Sequence, residues 1–340
     1  MSPAAFAEHC AAPTPAMRLF DAASAGAYAA AFPGDVAETV LDAAAVADVF
    51  ADFVAGSCAQ MPPDPTPTTP KLFTFQSAPG LRLYSGLVPA AVQQQLVLNV
   101  VEEYLPPPQH RTNVHPLYDL PAPFHLFGSS ETTEIVPNPS PPPGFVPPAR
   151  PASLGSFQDR RLRWVTLGGQ YDWTAKVYPS FDRASPAFPA FPPNLAALLA
   201  ALFDISPDAS IVNFYSPGDT LSAHQDVAER SAADLVSVSL GCEAVFLCGP
   251  TRDVPPLQLR VRSGDVIVMA GQSRFAYHGV PKVWAGSCPP HLSGADFAAA
   301  ADARSPAAVY GFAPPTRHGR DRYASWIAGK RINLNVRQML

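Results

Sequence analysis

The stretch "SAHQDVAER" (222–230) places His224 and Asp226 two residues apart, directly after a run with the composition of a β-strand. Such a pair can supply two ligands of a metal site, but short His-x-Asp matches also arise by chance. Two polar residues at a strand end have the same sequence. The rest of the chain decides between the two interpretations.

The composition sets the broad class of protein. The chain has 340 residues, of which 47% are hydrophobic, so it can bury the core of one large domain or two ordinary ones. Its 41 prolines predict long loops as well as regular elements. Charged residues make up 15% and the net charge is −5, which excludes a protein coated in basic residues. A local basic patch that binds nucleic acid is still compatible with these totals.

The cysteines and the N-terminus bear on the cellular compartment. Five widely spaced cysteines without a C-x-x-C pair predict free thiols in a reducing compartment. No apolar run reaches the roughly 18 residues that a transmembrane helix needs, and the N-terminus resembles neither a signal peptide nor a good transit peptide. These features favour the nucleus or the cytoplasm, with the mitochondrion as the alternative. The cysteines are Cys10, Cys58, Cys242, Cys248 and Cys288.

Residues 1–70 are expected to form an N-terminal helical and linker extension in front of a domain that occupies 71–340. Apolar residues at helical spacing predict a helix over 37–56, and a proline-rich segment predicts a linker over 58–71. The domain is expected to open with a strand, a turn and a second strand.

Two helices and a long proline-rich segment follow in the prediction. The helices cover 90–105, where the pattern is amphipathic and ends at three prolines, and 194–204. Between them, residues 106–151 are expected to be extended or disordered.

From residue 210 onward the sequence predicts strands. Six short segments rich in β-branched residues are separated by turn signals, with no long helix between them. This pattern is typical of an antiparallel sandwich or jelly roll, so we expect an α+β fold with a double-stranded β-helix (jelly-roll) core and flanking N-terminal helices. A long loop over 282–327 interrupts the strands. The six segments are SIVNFY, LVSVSL, AVFLC, LQLRVR, VIVMA and INLNV.

The last of these strands alternates strictly between apolar and polar residues. In "RINLNVR" (331–337), two arginines and two asparagines share one face of the strand. A solvated polar face has this pattern, and so does a strand whose polar face lines an anion site inside a barrel. Two guanidinium groups suit a small dicarboxylate, because guanidinium binds carboxylate in a bidentate way.

Two further segments add polar residues to the predicted barrel. In "VNFY" (212–215), Asn213 and Tyr215 share one face, although a tyrosine in this position is also a common packing residue. His278 follows the apolar run "VIVMA", where a lone histidine is more often structural than a ligand. With His224 and Asp226 it completes the two-histidine, one-carboxylate set of non-haem Fe(II) sites. A zinc hydrolase could use the same three residues, but would not need the strand that bears the arginines.

These motifs, in this order, resemble the AlkB family of Fe(II)/2-oxoglutarate-dependent dioxygenases, in particular its eukaryotic homologue-one branch. The segment "LRWVTLGGQYDW" (162–173) resembles the lid of that branch. The resemblance covers about 155–340 well and 70–155 loosely, and it does not cover 1–70. The motifs are N-x-Y (Asn213, Tyr215), H-x-D (His224, Asp226), a later His278, and R-x-N-x-x-x-R (Arg331, Asn333, Arg337).

The resemblance implies a role for each matching residue. It implies that His224, Asp226 and His278 bind Fe(II), and that Arg331 and Tyr215 hold the distal carboxylate of 2-oxoglutarate, with Asn213, Asn333 and Arg337 lining the same site. It also implies that Trp164 and Tyr171 contact the target base and its backbone, and that Arg252 lies on the substrate side.

One departure from the family bears on the substrate. Bacterial members commonly carry an acidic residue two positions after the metal-binding aspartate, and this chain has Ala228 there. The substrate preference of the bacterial enzymes is therefore not carried over. Asn335 also replaces a more usual small hydroxyl residue.

The function that the resemblance implies is oxidative demethylation of methylated bases in tRNA or DNA, with methyladenine as the first candidate. Fe(II), 2-oxoglutarate and O2 are the implied cofactor and cosubstrates, and formaldehyde, succinate and CO2 the products. A methylated nucleic acid is the expected partner of a monomer that does not bind membranes. The alternatives are a hydroxylase or demethylase of protein side chains with the same metal centre, and a non-catalytic jelly roll that binds nucleic acid.

Two groups of basic residues are candidates for contact with the phosphate backbone. Solvated faces also carry such charges, so both readings stay open. The first group is Arg160, Arg161 and Arg163, and the second is Arg317, Arg320, Arg322 and Lys330.

Overall fold

Fifteen strands form the framework of the part of the chain that the structure describes. They are seen in a computed structural model that describes residues 19–55, 69–185, 188–294, 297 and 317–340, with side chains from residue 322 onward in the last segment. The strands are β1 (Leu19–Phe20), β2 (Val36–Val40), β3 (Lys71–Phe75), β4 (Leu81–Ser85), β5 (Glu134–Ile135), β6 (Ala152–Ser153), β7 (Trp164–Gly168), β8 (Ala209–Tyr215), β9 (Leu221–His224), β10 (Leu235–Gly241), β11 (Ala244–Gly249), β12 (Leu257–Val261), β13 (Val266–Met269), β14 (Tyr277–Val283) and β15 (Arg331–Arg337).

Thirteen of these strands form two facing sheets. The larger sheet has the spatial order β2-β3-β4-β13-β10-β15-β8-β7, and the smaller has the order β1-β12-β11-β14-β9. All pairs are antiparallel except β1 with β12. The predicted α+β jelly roll is confirmed, and all six predicted strand segments are strands.

The alternation of β15 and β8 decides which side chains enter the space between the sheets. In β15, Ile332, Leu334 and Val336 pack into the core on the outer face of the larger sheet. The same core takes Val212 and Phe214 of β8. Because successive residues of a strand point to opposite faces, the polar residues of both strands are directed between the sheets.

Helices cover the outer face of the larger sheet. The helix Ala90–Asn99, continued by a π-helical turn over Val100–Tyr104, ends before the predicted prolines. It is buried on almost every side, so the prediction of an amphipathic helix is wrong in that respect. The predicted helix at 194–204 is confirmed as Pro193–Leu202, and a further helix spans Arg317–Ala328.

Part of the N-terminal extension belongs to the two sheets. The predicted helix over 37–56 is only partly correct, because β2 replaces its first half and pairs with β3, and the helix covers Ala47–Ala55. Backbone pairing with the open edge of the sheet here outweighs the local helical pattern. β1 adds to the smaller sheet, where Phe20 is fully buried. The boundary at residue 70 stays a prediction, but the packing does not divide there. Most of the predicted linker lies outside the described residues.

The two predicted loops contain more structure than expected. Residues 106–151 are irregular apart from β5, and Val114, Tyr118 and Phe124 are buried, so the expectation of a disordered segment is wrong. The apolar side chains between the prolines anchor this segment to the core. Within 282–327, short helical structure at Pro290–Ser293 and the helix Arg317–Ala328 replace part of the predicted loop, while 298–316 lie outside the described residues.

Two smaller predictions concern the cysteines and the membrane. Cys242, Cys248 and Cys288 are free thiols, as predicted, and Cys10 and Cys58 lie outside the described residues. Within the described part of the chain, the helices are too short or too polar to span a membrane.

Candidate functional site

A cavity of about 530 Å³ opens between the two sheets. Its floor is formed by side chains of β8, β9, β10, β11, β13, β14 and β15 together with the segment 225–229, and we call this part the floor. One wall comes from the segment after β7, and we call its residues Tyr171, Trp173, Lys176 and Tyr178 the lid wall. The polar face of β15 thus lines an interior site, as one of the two interpretations of its sequence predicted.

The floor brings together the two histidines and the aspartate. His224 at the end of β9 is the direct cross-strand partner of His278 in β14, with ring centroids 4.3 Å apart. Asp226 follows two residues after β9. One potential ligand atom from each of the three residues lies within 4.8 Å of the others. Among the described residues, no other group of three such side chains is gathered in this way.

The hydrogen bonds of both imidazoles direct one nitrogen of each ring at this centre. Nδ1 of His224 lies 2.9 Å from the carbonyl oxygen of Ser222, and Nδ1 of His278 lies 3.1 Å from that of Ala276. A protonated Nδ1 that donates to a carbonyl leaves Nε2 with a free lone pair. The two Nε2 atoms lie 3.7 and 3.8 Å from the carboxylate oxygens of Asp226.

The electrostatics keep His278 and Asp226 in the protonation states that bind a metal ion. Burial lowers the pKa of His278 to about 4, so its imidazole is neutral at neutral pH. Burial alone would raise the pKa of Asp226, but the charge and hydrogen bond of Arg337 and the charge interactions with His278 and His224 together outweigh this effect and hold the pKa well below its usual range. The floor therefore presents a neutral imidazole and a carboxylate, with the His224 imidazole alongside, to a divalent cation.

A buried network of charges fixes the position of Asp226. Nη2 of Arg337 donates to its carboxylate at 2.6 Å, and Nδ2 of Asn335 donates at 3.2 Å. Arg337 also pairs with Glu229 at 2.9 Å, and Glu229 in turn pairs with Arg274 at 3.2 Å. Arg274 closes the network, because its Nη1 donates to the backbone carbonyl of Asp226 at 2.9 Å.

Glu229 and Arg274 were not singled out from the sequence. The side chains of both are 2% exposed. The sequence did contain a signal for them. Glu229 lies three residues after Asp226, and Arg274 lies four residues before His278. Opposite charges so close to two expected ligands can form an ion pair near the site. Arg337 lines the cavity, as predicted, but its guanidinium pairs with the carboxylates of Asp226 and Glu229. This guanidinium is therefore not free to bind a second carboxylate in a bidentate way.

Arg331 and Tyr215 form the second polar feature of the floor. They are direct partners across β15 and β8, and the guanidinium carbon lies 5.3 Å from the centroid of the tyrosine ring. Nη2 of Arg331 donates to Ser239 at 3.0 Å. Within the described part of the chain, its Nε and Nη1 and the hydroxyl of Tyr215 have no hydrogen bond of normal geometry, and no carboxylate pairs with Arg331. A buried cation without a counter-ion is costly, so this position is suited to an anionic ligand.

The remaining predicted polar residues of the floor are two asparagines. Asn213 is half-buried and lines the cavity. Asn333 also lines it, but its amide donates to Ser237 at 2.7 Å and to the carbonyl of Val238 at 3.2 Å.

Comparison with known proteins adds an independent finding. The family model described as "2OG-Fe(II) oxygenase superfamily" matches residues 140–337, which is more than half of the chain. The chain belongs to this superfamily. Members use Fe(II), 2-oxoglutarate and O2, and these are the cofactor and cosubstrates of this oxygenase.

Several relatives of this oxygenase are AlkB-type proteins, which confirms the resemblance. It is 40% identical over 287 residues to the "N6-methyladenosine RNA demethylase ALKB1" of Pyricularia oryzae, covering 77% of this chain and 74% of the relative. It is 34% identical over 283 residues to the "tRNA demethylase abh1" of Schizosaccharomyces pombe, covering 79% and 82%. It is 36% identical over 189 residues to the "DNA N(6)-methyladenine demethylase ALKBH1A" of Arabidopsis thaliana, covering 53% and 49%.

The floor of this oxygenase fits both ligands that the superfamily uses. Two imidazole nitrogens and a carboxylate match the donor set of Fe(II). The unpaired guanidinium of Arg331 and the hydroxyl of Tyr215 match a carboxylate of 2-oxoglutarate.

Of the three expected substrate residues of this oxygenase, the structure places one on the cavity and two away from it. Tyr171 belongs to the lid wall. Trp164 lies in β7 directly across from Asn213 but does not line the cavity, and the ring of Trp173 lies against it at an angle of 33° with ring centroids 4.7 Å apart. Arg252 is exposed, donates to the carbonyl of Ala223 at 3.1 Å and does not line the cavity either. Trp173 and Tyr178 were not predicted, since nothing in their spacing distinguishes them from packing residues.

Ala228, at the position of the missing acid, also lines the cavity of this oxygenase. It packs against an apolar cluster built on Tyr178, Phe188, Ala209 and Met339. The cavity is therefore apolar at this position.

Proposed function

We propose that the chain is an oxidative demethylase of methylated bases in nucleic acid, with N6-methyladenine in RNA or DNA as its first candidate substrate. Its products would be formaldehyde, succinate and CO2. Three similar proteins whose names specify demethylation of methyladenosine, tRNA or DNA methyladenine support this choice.

The observation that carries the proposal is the pairing of two features in one cavity. His224, Asp226 and His278 form a metal-binding group, and the buried Arg331 beside Tyr215 has no acidic partner among the described residues. A zinc hydrolase would need the first feature and leave the second unexplained. An Fe(II)/2-oxoglutarate oxygenase needs both.

We assign the residues of the floor to ligand binding and orientation. His224, Asp226 and His278 would hold Fe(II), and Arg331 and Tyr215 would hold the distal carboxylate of 2-oxoglutarate. Arg337, Glu229 and Arg274 would fix Asp226 rather than contact the cosubstrate. Apolar side chains exclude water from the rest of the floor. They are Leu221, Leu235, Phe246, Met269 and Val280.

The lid wall is suited to a flat aromatic substrate. Tyr171, Trp173 and Tyr178 present rings to the cavity, and rings of this kind stack on nucleobases at about 1–3 kcal/mol per base. A base has to leave its stack to reach such a cavity. We infer that the wall holds the base so that its N-methyl group points at the floor.

The atoms of the proposed reaction balance in two steps. When bound, Fe(II) and 2-oxoglutarate supply the oxidising chemistry, in which one O2 is consumed, one oxygen atom enters succinate as CO2 is lost, and the other converts N–CH3 to N–CH2OH. The C–N bond of the hydroxymethyl group then breaks, which gives N–H and formaldehyde.

The test is an assay of several methylated substrates with the same enzyme preparation. A mass-spectrometric survey of modified nucleosides in total tRNA and in DNA, with and without the enzyme, should show loss of a methylated adenine together with formaldehyde. A panel of methylated peptides serves as the comparison. Turnover of peptides alone, with every nucleoside unchanged, would contradict the proposal and favour the protein substrate.

A further inference from the structure

The carboxamide of Asn335 has one end bonded to the protein and one end without a partner. Asn335 lies on the inward face of β15, lines the cavity and is 9% exposed. Its Nδ2 donates to a carboxylate oxygen of Asp226 at 3.2 Å. Its Oδ1 is buried and has no hydrogen-bond partner among the described residues. Since a buried acceptor without a donor is costly, this oxygen is suited to a ligand that donates to it.

The neighbours of Asn335 fix the orientation of its carboxamide. An ionised carboxylate only accepts hydrogen bonds, and the same oxygen of Asp226 also accepts from Arg337 at 2.6 Å. The nitrogen of Asn335 therefore faces Asp226, and its oxygen faces away. Across the sheet, Asn335 lies between Ser237 of β10 and Ile211 of β8, and neither side chain donates to the oxygen.

The position of Asn335 along β15 separates it from the cosubstrate end of the floor. Arg331, which we assign to the distal carboxylate of 2-oxoglutarate, lies four residues away on the same face, about 13 Å at the usual rise of about 3.3 Å per residue. Arg337, the next residue on this face, is the cross-strand partner of Ala209, which packs in one apolar cluster with Tyr178 of the lid wall. Asn335 therefore lies beside Asp226, toward the lid wall.

The cosubstrates have no donor to offer this oxygen, whereas a methylated amine has one. At neutral pH, 2-oxoglutarate carries two carboxylates and a ketone, which only accept hydrogen bonds, and O2 has no hydrogen. In N6-methyladenine, the nitrogen that carries the methyl group also carries one hydrogen. When the methyl group points at the metal-binding group, this N–H lies directly beside it, on the side where Oδ1 of Asn335 is unpaired.

We propose that Oδ1 of Asn335 accepts a hydrogen bond from the methylated amino group of the target base, so that this residue selects bases whose methylated nitrogen also carries a hydrogen. The inference rests on the proposed function and deepens it, because it names the chemical class of the base and the residue that selects it. One carboxamide then orients Asp226 through its nitrogen and the substrate through its oxygen. A base with an oxygen in place of the N–H leaves Oδ1 unpaired and brings two acceptors together.

The test compares two single-stranded oligonucleotides that differ in one atom group of one base. The first carries N6-methyladenine and the second 6-methoxypurine, in which oxygen replaces the N–H and the methyl group stays in place. Both bases are neutral and of similar size, and hydroxylation of either methyl group releases formaldehyde. The variant Asn335→Ala removes the acceptor. Its control, Ile211→Ala, opens space at the directly paired position of β8, which also lines the cavity, and keeps the acceptor.

The expected result is a loss of discrimination in Asn335→Ala only. The wild-type protein should prefer N6-methyladenine over 6-methoxypurine by about 30-fold in kcat/KM, because an unpaired buried acceptor has a cost of this order. The preference should fall to about threefold in Asn335→Ala and stay at about 30-fold in Ile211→Ala. The Kd values of both oligonucleotides, measured without O2 so that no turnover occurs, should change in the same way. Thermal unfolding of each variant verifies that it is folded.

Two outcomes overturn the inference while the proposed function stands. An equal fall of kcat/KM for both oligonucleotides in Asn335→Ala, with the preference unchanged, would show that Asn335 acts only through Asp226. An equal loss of preference in Asn335→Ala and Ile211→Ala would show that the fit of the base, and not the hydrogen bond, decides. Failure of the proposed function is a different result and overturns the inference with it: the wild-type protein would release formaldehyde from a methylated peptide and from neither oligonucleotide.

Discussion

The floor of the cavity and its lid wall differ in the burial and the pairing of their charged side chains. On the floor and directly behind it, the side chains of Asp226, Glu229, Arg274 and Arg337 are at most 11% exposed and pair with one another, and Arg331 is buried beside Tyr215. On the lid wall and near it, Lys176 and Arg230 are exposed, and neither forms an ion pair with a residue that the structure describes. The floor therefore suits ligands that are held in a fixed geometry. The lid wall suits a nucleic-acid strand whose sequence can vary.

This difference predicts how each region responds to mutation and salt. Buried pairs are little affected by ionic strength, and the loss of one partner leaves the other as an uncompensated charge. Exposed cations lose their effect as salt increases, and single substitutions cost little stability. Substitutions on the floor should therefore alter metal and cosubstrate binding, and substitutions on the lid wall should alter binding of the strand.

The largest effect is expected for Asp226→Ala. It removes one metal-binding group and leaves Arg337 buried without this partner, so we expect loss of Co(II) binding together with about 3–5 kcal/mol of stability. Metal titration and thermal unfolding measure the two effects. Asp234→Ala is the matched control, because among the described residues Asp234 pairs with the half-exposed Arg82 alone. Equal effects of the two substitutions would remove the distinction between the floor and an ordinary surface pair.

A smaller effect is expected for Arg331→Lys. Lysine keeps the charge but loses the fork that binds a carboxylate at two points. The loss of one charged hydrogen bond, about 1.5–3 kcal/mol, should raise the KM for 2-oxoglutarate about 10- to 100-fold. Steady-state assays of succinate release at varied 2-oxoglutarate measure this change. An unchanged KM would mean that Arg331 does not hold the cosubstrate.

Glu229→Gln tests the charge network behind Asp226. The substitution keeps the size of the side chain but removes the charge that Arg274 and Arg337 share, so Asp226 is held less firmly and Co(II) affinity should fall about tenfold. Glu243→Gln is the control, because Glu243 also bridges two arginines, Arg260 and Arg262, but lies away from the cavity. An equal fall in Co(II) affinity in both variants would show that the network has no specific role.

The smallest effect is expected for Arg252→Ala. Arg252 is exposed beside Ala223, so it can supply at most one phosphate contact, and oligonucleotide affinity at 0.1 M salt should fall about fivefold. Lys282→Ala is the control for the loss of a single exposed cation. An equal fall in both variants would show that Arg252 makes no specific contact with the strand.

The sequence predicted the floor better than the lid wall for a physical reason. The polar face of β15, the Asn213–Tyr215 pair and the two histidines lie on regular strands, where a period of two residues determines which side chains point inward. Asp226 lies only two residues past β9, and its spacing from His224 is local.

The contacts that the sequence did not predict join distant segments. Arg274 meets Glu229 across 45 residues, and Trp173 covers Trp164 only because the chain turns back after β7. The same applies to β2, whose residues follow a helical pattern but pair with β3. Such contacts depend on tertiary packing, which local spacing does not encode.

The most direct test of the central claim is formaldehyde release by His224→Ala. The side chain of His224 is 35% exposed, so its removal should leave the fold intact, as thermal unfolding can verify. With Fe(II), 2-oxoglutarate and a methyladenine oligonucleotide, the wild-type protein should release formaldehyde and succinate in equal amounts, and the variant should release no formaldehyde. Full formaldehyde release by a folded His224→Ala protein would contradict the assignment of the metal centre.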